Sequence, residues 1–185
     1  PLFIQKVQKL SPEYSGLLII PMLLSLTFSA IIAGQIISRT GTYKKLAIMA
    51  FIIITVGMFL LSTLGTGSTI WELVIYAAVL GAGTGMTYPI FNVAVQNAVS
   101  RRDIAVGTAS MQFFRNIGAT VALPIFGVIV NLTINMDINT VSNIPPDLMS
   151  LAIHNVYLFG LIISIMGLVS CFFLKDVVLS SKMEG

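Results

Sequence analysis

The chain has 185 residues, of which 56% are apolar and 9% charged, with a formal net charge of +3. An ordinary soluble domain carries roughly 25% charged residues, and a disordered chain needs low hydrophobicity and high charge; both classes are excluded. At about 20 mostly apolar residues per transmembrane helix, the composition points to about five membrane spans.

In chain order, Pro1 to Ile4 are apolar, no Met precedes them and no signal peptide is visible. They read as the outer end of a preceding helix, which suggests a fragment. Ser11-Pro12-Glu13 then supplies a cap residue, an N1 proline and a first-turn acid. The first hydrophobic segment, 16–37, follows, with Pro21 as a possible kink. The second segment is 46–64. Thr69-x-x-Glu72 has the spacing of a capping box and precedes the third segment, 73–95, which Pro89 is expected to kink. Ser100-x-x-Asp103 resembles a second box ahead of the fourth segment, 104–132, where Pro124 lies. Asn131-Leu-Thr133 fits a glycosylation pattern and is read as chance at a helix end. The long connection that follows holds Pro145-Pro146-Asp147, a helix-start signal before a short apolar stretch expected to lie at the membrane interface. The fifth segment is 156–174. None of the five alternates like a barrel strand, and a backbone in lipid must satisfy its own hydrogen bonds, so all five are expected as helices. The predicted fold is an all-α, polytopic bundle of five spans forming one transmembrane domain over 1–185.

Loop charge orients the bundle. Arg39, Lys44 and Lys45 follow the first segment, Arg101 and Arg102 the third, and Lys175 and Lys182 the fifth. The two remaining loops carry no Lys or Arg, while Lys6 and Lys9 break the pattern. Cations on alternate loops mark the cytoplasmic side, so the N-terminal end is expected outside and the C-terminus in the cytoplasm of a cell membrane. The same cations read as topology signals, and no nucleic acid partner is expected.

All seven Asp and Glu lie in loops, at helix edges or in the tail. Proton relays in transporters use intramembrane Asp, Glu or His; a titrating acid is therefore expected outside this chain. The one charge within a span is Arg115. Thr108, Gln112, Arg115 and Ala119 recur at helical spacing, and Gln112 and Asn116 bring amides beside the guanidinium. Either Arg115 snorkels to the surface, or it faces a helix interface or a water-filled path. The third segment has a comparable face: Gly81, Gly85, Pro89 or Tyr88, Asn92 and Gln96. Gly81-x-x-x-Gly85 permits close approach of a neighbouring helix. Cys171 is the single cysteine and reads as a small buried hydrophobe. His154 is the single histidine, with no second ligand nearby. No metal, no cofactor and no catalytic constellation is expected, so the chain does not read as an enzyme.

One pattern is sharper. Gly34-Gln-Ile-Ile-Ser38-Arg39-Thr-Gly41-Thr-Tyr-Lys44-Lys45 resembles the loop signature of the major facilitator superfamily, in which Gly, three residues, Asp, Arg, one residue, Gly and then basic residues join two helices of each half. Ser38 stands where the family places Asp, a departure that suits the second-half copy and removes the expectation of a carboxylate–arginine latch. Pro1-Leu-Phe-Ile-Gln5, Ser11-Pro12 and Gly16 to Pro21, then Gly81-x-Gly83-x-Gly85 with Pro89, then Gly107-Thr-Ala-Ser and Arg115-Asn-Ile-Gly118, are similar in order to the fourteen-helix drug:proton antiporters of that superfamily. The resemblance is weakest in the long outer loop and the tail. It implies a fold of two bundles rocking about a central cavity, with these five spans last. It also implies export of small hydrophobic or cationic compounds in exchange for protons, in a lipid bilayer, with a missing N-terminal half of the same transporter as partner. The alternative is a small self-contained membrane scaffold or subunit. Gly118 is expected as a packing or hinge position on the fourth segment, beside Gly81, Gly85 and Pro89 on the third.

Overall fold

The computed structural model of the chain describes residues 16–134 and 145–174. The Ser11–Pro12–Glu13 cap, the Pro1 to Ile4 stretch and the lysines at 6, 9, 175 and 182 lie outside the described residues. Among the described residues there are five long helices: α1 (Ile20–Thr40), α2 (Lys44–Ser62), α3 (Ile70–Ala98), α4 (Ile104–Ile134) and α5 (Pro146–Phe172). All five are long and apolar enough to cross a membrane. The architecture is all-α, as the uninterrupted apolar runs require.

Local chemistry explains the helix ends. Pro21 falls in the first turn of α1, so it starts the helix rather than kinking it. A first-turn N–H has no intrahelical partner, and its loss costs nothing there. Gly41 closes α1 with φ 65°, its N–H donating to the Ile37 carbonyl at 2.9 Å; a glycine adopts this left-handed cap without the Cβ clash. The Thr69–Glu72 box is formed in both directions, at 3.3 and 3.0 Å. The second expected box is not. The Ser100 hydroxyl donates to the Asp103 carboxylate at 2.6 Å, and the Asp103 N–H donates to the Ser100 carbonyl at 2.9 Å. With its side chain one methylene shorter than Glu, Asp103 takes the Ser100 hydroxyl, and the pair makes a tight turn before Ile104.

The largest departure is α5, which begins at Pro146 rather than 156. The apolar stretch expected at the interface is its first turns. Nothing between Asp147 and Val156 breaks a helix, and Met149, Ala152 and Ile153 are buried with Leu61, Leu64 and Leu73.

Packing follows small residues. α2, α3, α4 and α5 close a ring in which each touches the next, and α1 packs on α3 outside it. A Cβ placed on Gly81 would lie 2.5 Å from the Met22 carbonyl oxygen, and one on Gly85 would overlap the Leu26 carbonyl oxygen and the Ser29 hydroxyl. The Ser25 hydroxyl donates to the Ala78 carbonyl at 2.7 Å, also across α1 and α3. Gly57 meets the Leu80 backbone and Gly83 meets Ile54, which brings α2 against α3. Gly160, Ser164, Gly167 and Cys171 recur at intervals of four, three and four on α5. Gly160 seats Met58 and Gly167 seats the Phe51 ring, while Ser164 and Cys171 are buried. Without a hydrophobic drive between helices in lipid, such close backbone approach supplies the van der Waals contact that holds them.

Both ends of the α2–α5 pair are tied by a side chain on a carbonyl. The Lys44 ammonium donates to the Phe172 carbonyl at 3.0 Å. His154 Nδ1–H donates to the Ser62 carbonyl. Each cationic or donor group thus satisfies a carbonyl at a helix C-terminus, where four are left unpaired and the dipole end is negative.

Candidate functional site

The candidate site lies between α3 and α4. These helices meet at their connecting turn, where a Cβ on Gly107 would touch Val95 and Val99. They meet again deeper, where the Arg115 guanidinium sits 4.3 Å from the centroid of the Tyr88 ring. Arg115 is 11 residues beyond Ile104, about 16 Å along the helix at 1.5 Å per residue, in a helix long and apolar enough to cross a membrane. On α4 the partly covered residues Ile104, Thr108, Met111, Arg115, Ala122 and Phe126 share one helical face. Arg115 therefore belongs to the face that meets α3 and α5. The lipid-side candidates Phe113, Phe114, Val121 and Leu132 are exposed on the others.

Gln112 and Asn116 flank that face and are exposed, as is Gln96 on α3; Asn92 is half-buried. Among the described residues none of these four amide side chains has a hydrogen-bond partner. Tyr88, Asn92 and Gln96 run up the same side of α3 as the Val95 and Val99 contact with α4. The structure thus sets an aromatic ring on α3 against a guanidinium on α4, with Asn92 and Gln96 further along α3 and Gln112 and Asn116 beside the guanidinium on α4. Two further polar atoms, Asn97 Nδ2 and Thr108 Oγ1, are buried at the same hairpin with no partner. Asn97 carries no pattern that sequence reasoning uses; only the pairing of the two helices picks it out.

Energetics limit what Arg115 can do alone. A guanidinium near mid-membrane costs at least ~2.5 kcal/mol. A cation–π contact returns about 0.5–2 kcal/mol. The acids among the described residues, Glu72, Asp103 and Asp147, all lie at helix starts, beyond its reach. Part of the cost is left for another polar group to offset.

The other sequence-predicted positions fall elsewhere. Gly34 has only Pro89 Cβ nearby, at 3.9 Å from a built Cβ, an ordinary contact. Ser38 donates back to the Gln35 carbonyl at 2.9 Å, and Arg39 and Lys45 are exposed at the same end as Gly41 and Lys44. Gly81 and Gly85 form the α1 seat described above. Helix α3 continues through Pro89 and α4 through Pro124. Gly118 has no atom of the described residues within 4 Å of a built Cβ; its face of α4 is open. The Asn131–Thr133 pattern is helical, and Thr133 accepts from the Asn155 amide at 3.0 Å, tying α4 to α5.

Residues 1–123 match the family model described as Major Facilitator Superfamily. The chain belongs to that superfamily. The matched region takes in α1, α2, α3 and the part of α4 that carries Arg115. A "Multidrug transporter protein MdtP" of Bacillus subtilis (strain 168) is 32% identical over 131 residues, 71% of this chain and 24% of the relative. A "Tetracycline resistance determinant" of Streptomyces rimosus is 27% identical over 125 residues, 68% of this chain and 36% of the relative. An "Efflux pump dotC" of Dothistroma septosporum is 33% identical over 123 residues, 66% of this chain and 21% of the relative. The chain thus spans 21–36% of the length of these curated relatives. Within the superfamily it is part of a multi-pass membrane transporter fold, similar to efflux proteins.

Proposed function

We propose that this chain supplies the last five helices of a proton-coupled exporter of small hydrophobic or cationic compounds, working by alternating access. The observation that carries the reading is its likeness, over about two thirds of its residues, to proteins named for multidrug transport and tetracycline resistance. The α3–α4 face, with Tyr88, Asn92, Gln96, Gln112, Arg115 and Asn116, serves as the wall this chain presents to the substrate path. Gly81 and Gly85 serve the packing of the helices that carry it, and Pro89 and Gly118 their movement. The described span centres hold no carboxylate, so the proton-carrying acid and the other half of the cavity come from the rest of the transporter. Helix C-termini of α1 and α3 face the cytoplasm, with Arg39, Lys44, Lys45, Arg101 and Arg102 there. The chain on this reading is a transport component and not an enzyme.

The test is export by the complete polypeptide in bacteria lacking their own efflux pumps. Energised cells are expected to expel ethidium, and collapse of the proton gradient is expected to stop them. Cells that expel nothing with the protein in the membrane refute the reading. For orientation, a membrane-impermeant maleimide added outside is expected to label Thr66→Cys and not Arg102→Cys; the opposite pattern inverts the topology.

A further inference from the structure

Arg115 and its neighbours carry one inference that rests on the exporter reading and extends its substrate range. We infer that the Tyr88–Arg115 face of α3 and α4 receives an anionic group on an aromatic substrate, a carboxylate or phenolate, rather than only neutral or cationic compounds. The Arg115 guanidinium lies over the Tyr88 ring at 4.3 Å, and among the described residues it has no acid partner. A guanidinium presents planar paired donors that match a carboxylate edge. The stacked ring beside it offers a face to a second aromatic group. Gln112 and Asn116 next to it on α4, and Asn92 on the facing side of α3, add amides whose hydrogen bonds the described residues leave unmade.

A fixed acid from the rest of the transporter would also neutralise Arg115. It would engage the guanidinium continuously and leave the three free amides and the half-exposed ring without purpose. A ligand with several acceptors and a ring uses all of them. Among the described residues that face is uncovered: Tyr88 is 43% exposed, and Gln112 and Asn116 are exposed beside it.

The experiment uses the complete transporter in efflux-deficient bacteria, with two fluorescent probes: dansylglycine, an aromatic carboxylate, and ethidium, a permanent cation. Wild-type cells are expected to expel both. Arg115→Ala is expected to lower the ratio of dansylglycine to ethidium efflux about tenfold, Arg115→Lys less, and Tyr88→Leu about threefold. Equilibrium dialysis of dansylglycine against the purified protein is expected to show the same order, independently of transport. Wild-type export of ethidium without dansylglycine overturns the inference and leaves the exporter reading intact. So does an Arg115→Ala protein, present at wild-type level, that loses both probes in equal proportion, because Arg115 then serves a protein contact. Export of neither probe by the wild type overturns both readings.

Discussion

Replacing Gly81 by Ala tests the packing logic most directly. A Cβ there would lie 2.5 Å from the Met22 carbonyl oxygen, where real Cβ contacts essentially never fall under 3.0 Å. The obstacle is backbone, so α1 and α3 must part by about half an ångström or more. Overpacking of this kind costs about 1–3 kcal/mol, and the Ser25 to Ala78 bond one turn away, worth about 0.6 kcal/mol in a membrane bundle, weakens with it. Helix propensity returns about 0.5–1 kcal/mol. The net loss is about 2 kcal/mol, a fall in unfolding midpoint of about 2 °C for a transporter of about 500 residues at about 2.1 cal/mol/K of unfolding entropy per residue. The assay is thermal unfolding of the purified transporter in detergent, followed by circular dichroism. Gly67→Ala is the control, since nothing lies within 4 Å of a Cβ built there. If Gly81→Ala melts with Gly67→Ala, then α1 does not rest on α3 through this glycine, and the reasoning fails.

Two further outcomes follow from the α2–α5 pair. Gly167→Leu collides with the Phe51 ring and is expected to cost about 2–3 kcal/mol; adding Phe51→Ala is expected to recover at least half of that, read from the same melts as a double-mutant cycle, and purely additive losses would separate the two residues. Lys44→Met removes the donor to the Phe172 carbonyl and is expected to destabilise by about 0.5–1 kcal/mol, visible as faster hydrogen exchange at the last turn of α5; unchanged exchange there would dismiss the tie.

Much of this fold is legible because a membrane simplifies the code. Five apolar runs had to be five helices, and their polar ends were signposted by Gly41, by the Thr69–Glu72 box and by the Pro145-Pro146 pair. The last signal starts α5 itself: no Gly or Pro falls between Asp147 and Val156, so nothing separates an interfacial segment from the span. The stripe Gly160, Ser164, Gly167 and Cys171 has the same small-residue periodicity as Gly81 and Gly85 and was available to the same reasoning. Cross-helix chemistry is a different matter. Spacing placed Tyr88 on one polar face and Arg115 on another, but which faces meet depends on the crossing of α3 and α4. The ties from Lys44 and His154 are less legible still, because each joins a side chain to a backbone carbonyl on a remote helix, and a carbonyl leaves no mark in the sequence.

The Lys44–Phe172 bond spans 128 residues, and that separation has a consequence for biogenesis. When α2 enters the bilayer, the carbonyl that Lys44 will meet has not yet been synthesised, and Phe51 and Met58 have no glycine seats on α5 to fill. The ring of α2, α3, α4 and α5 closes only when α5 arrives. A chain stalled before that helix leaves the α2–α5 pair half built, its lysine without the Phe172 carbonyl and Phe51 and Met58 without their glycines. Synthesis of α5 is thus the step at which these four helices become a closed ring.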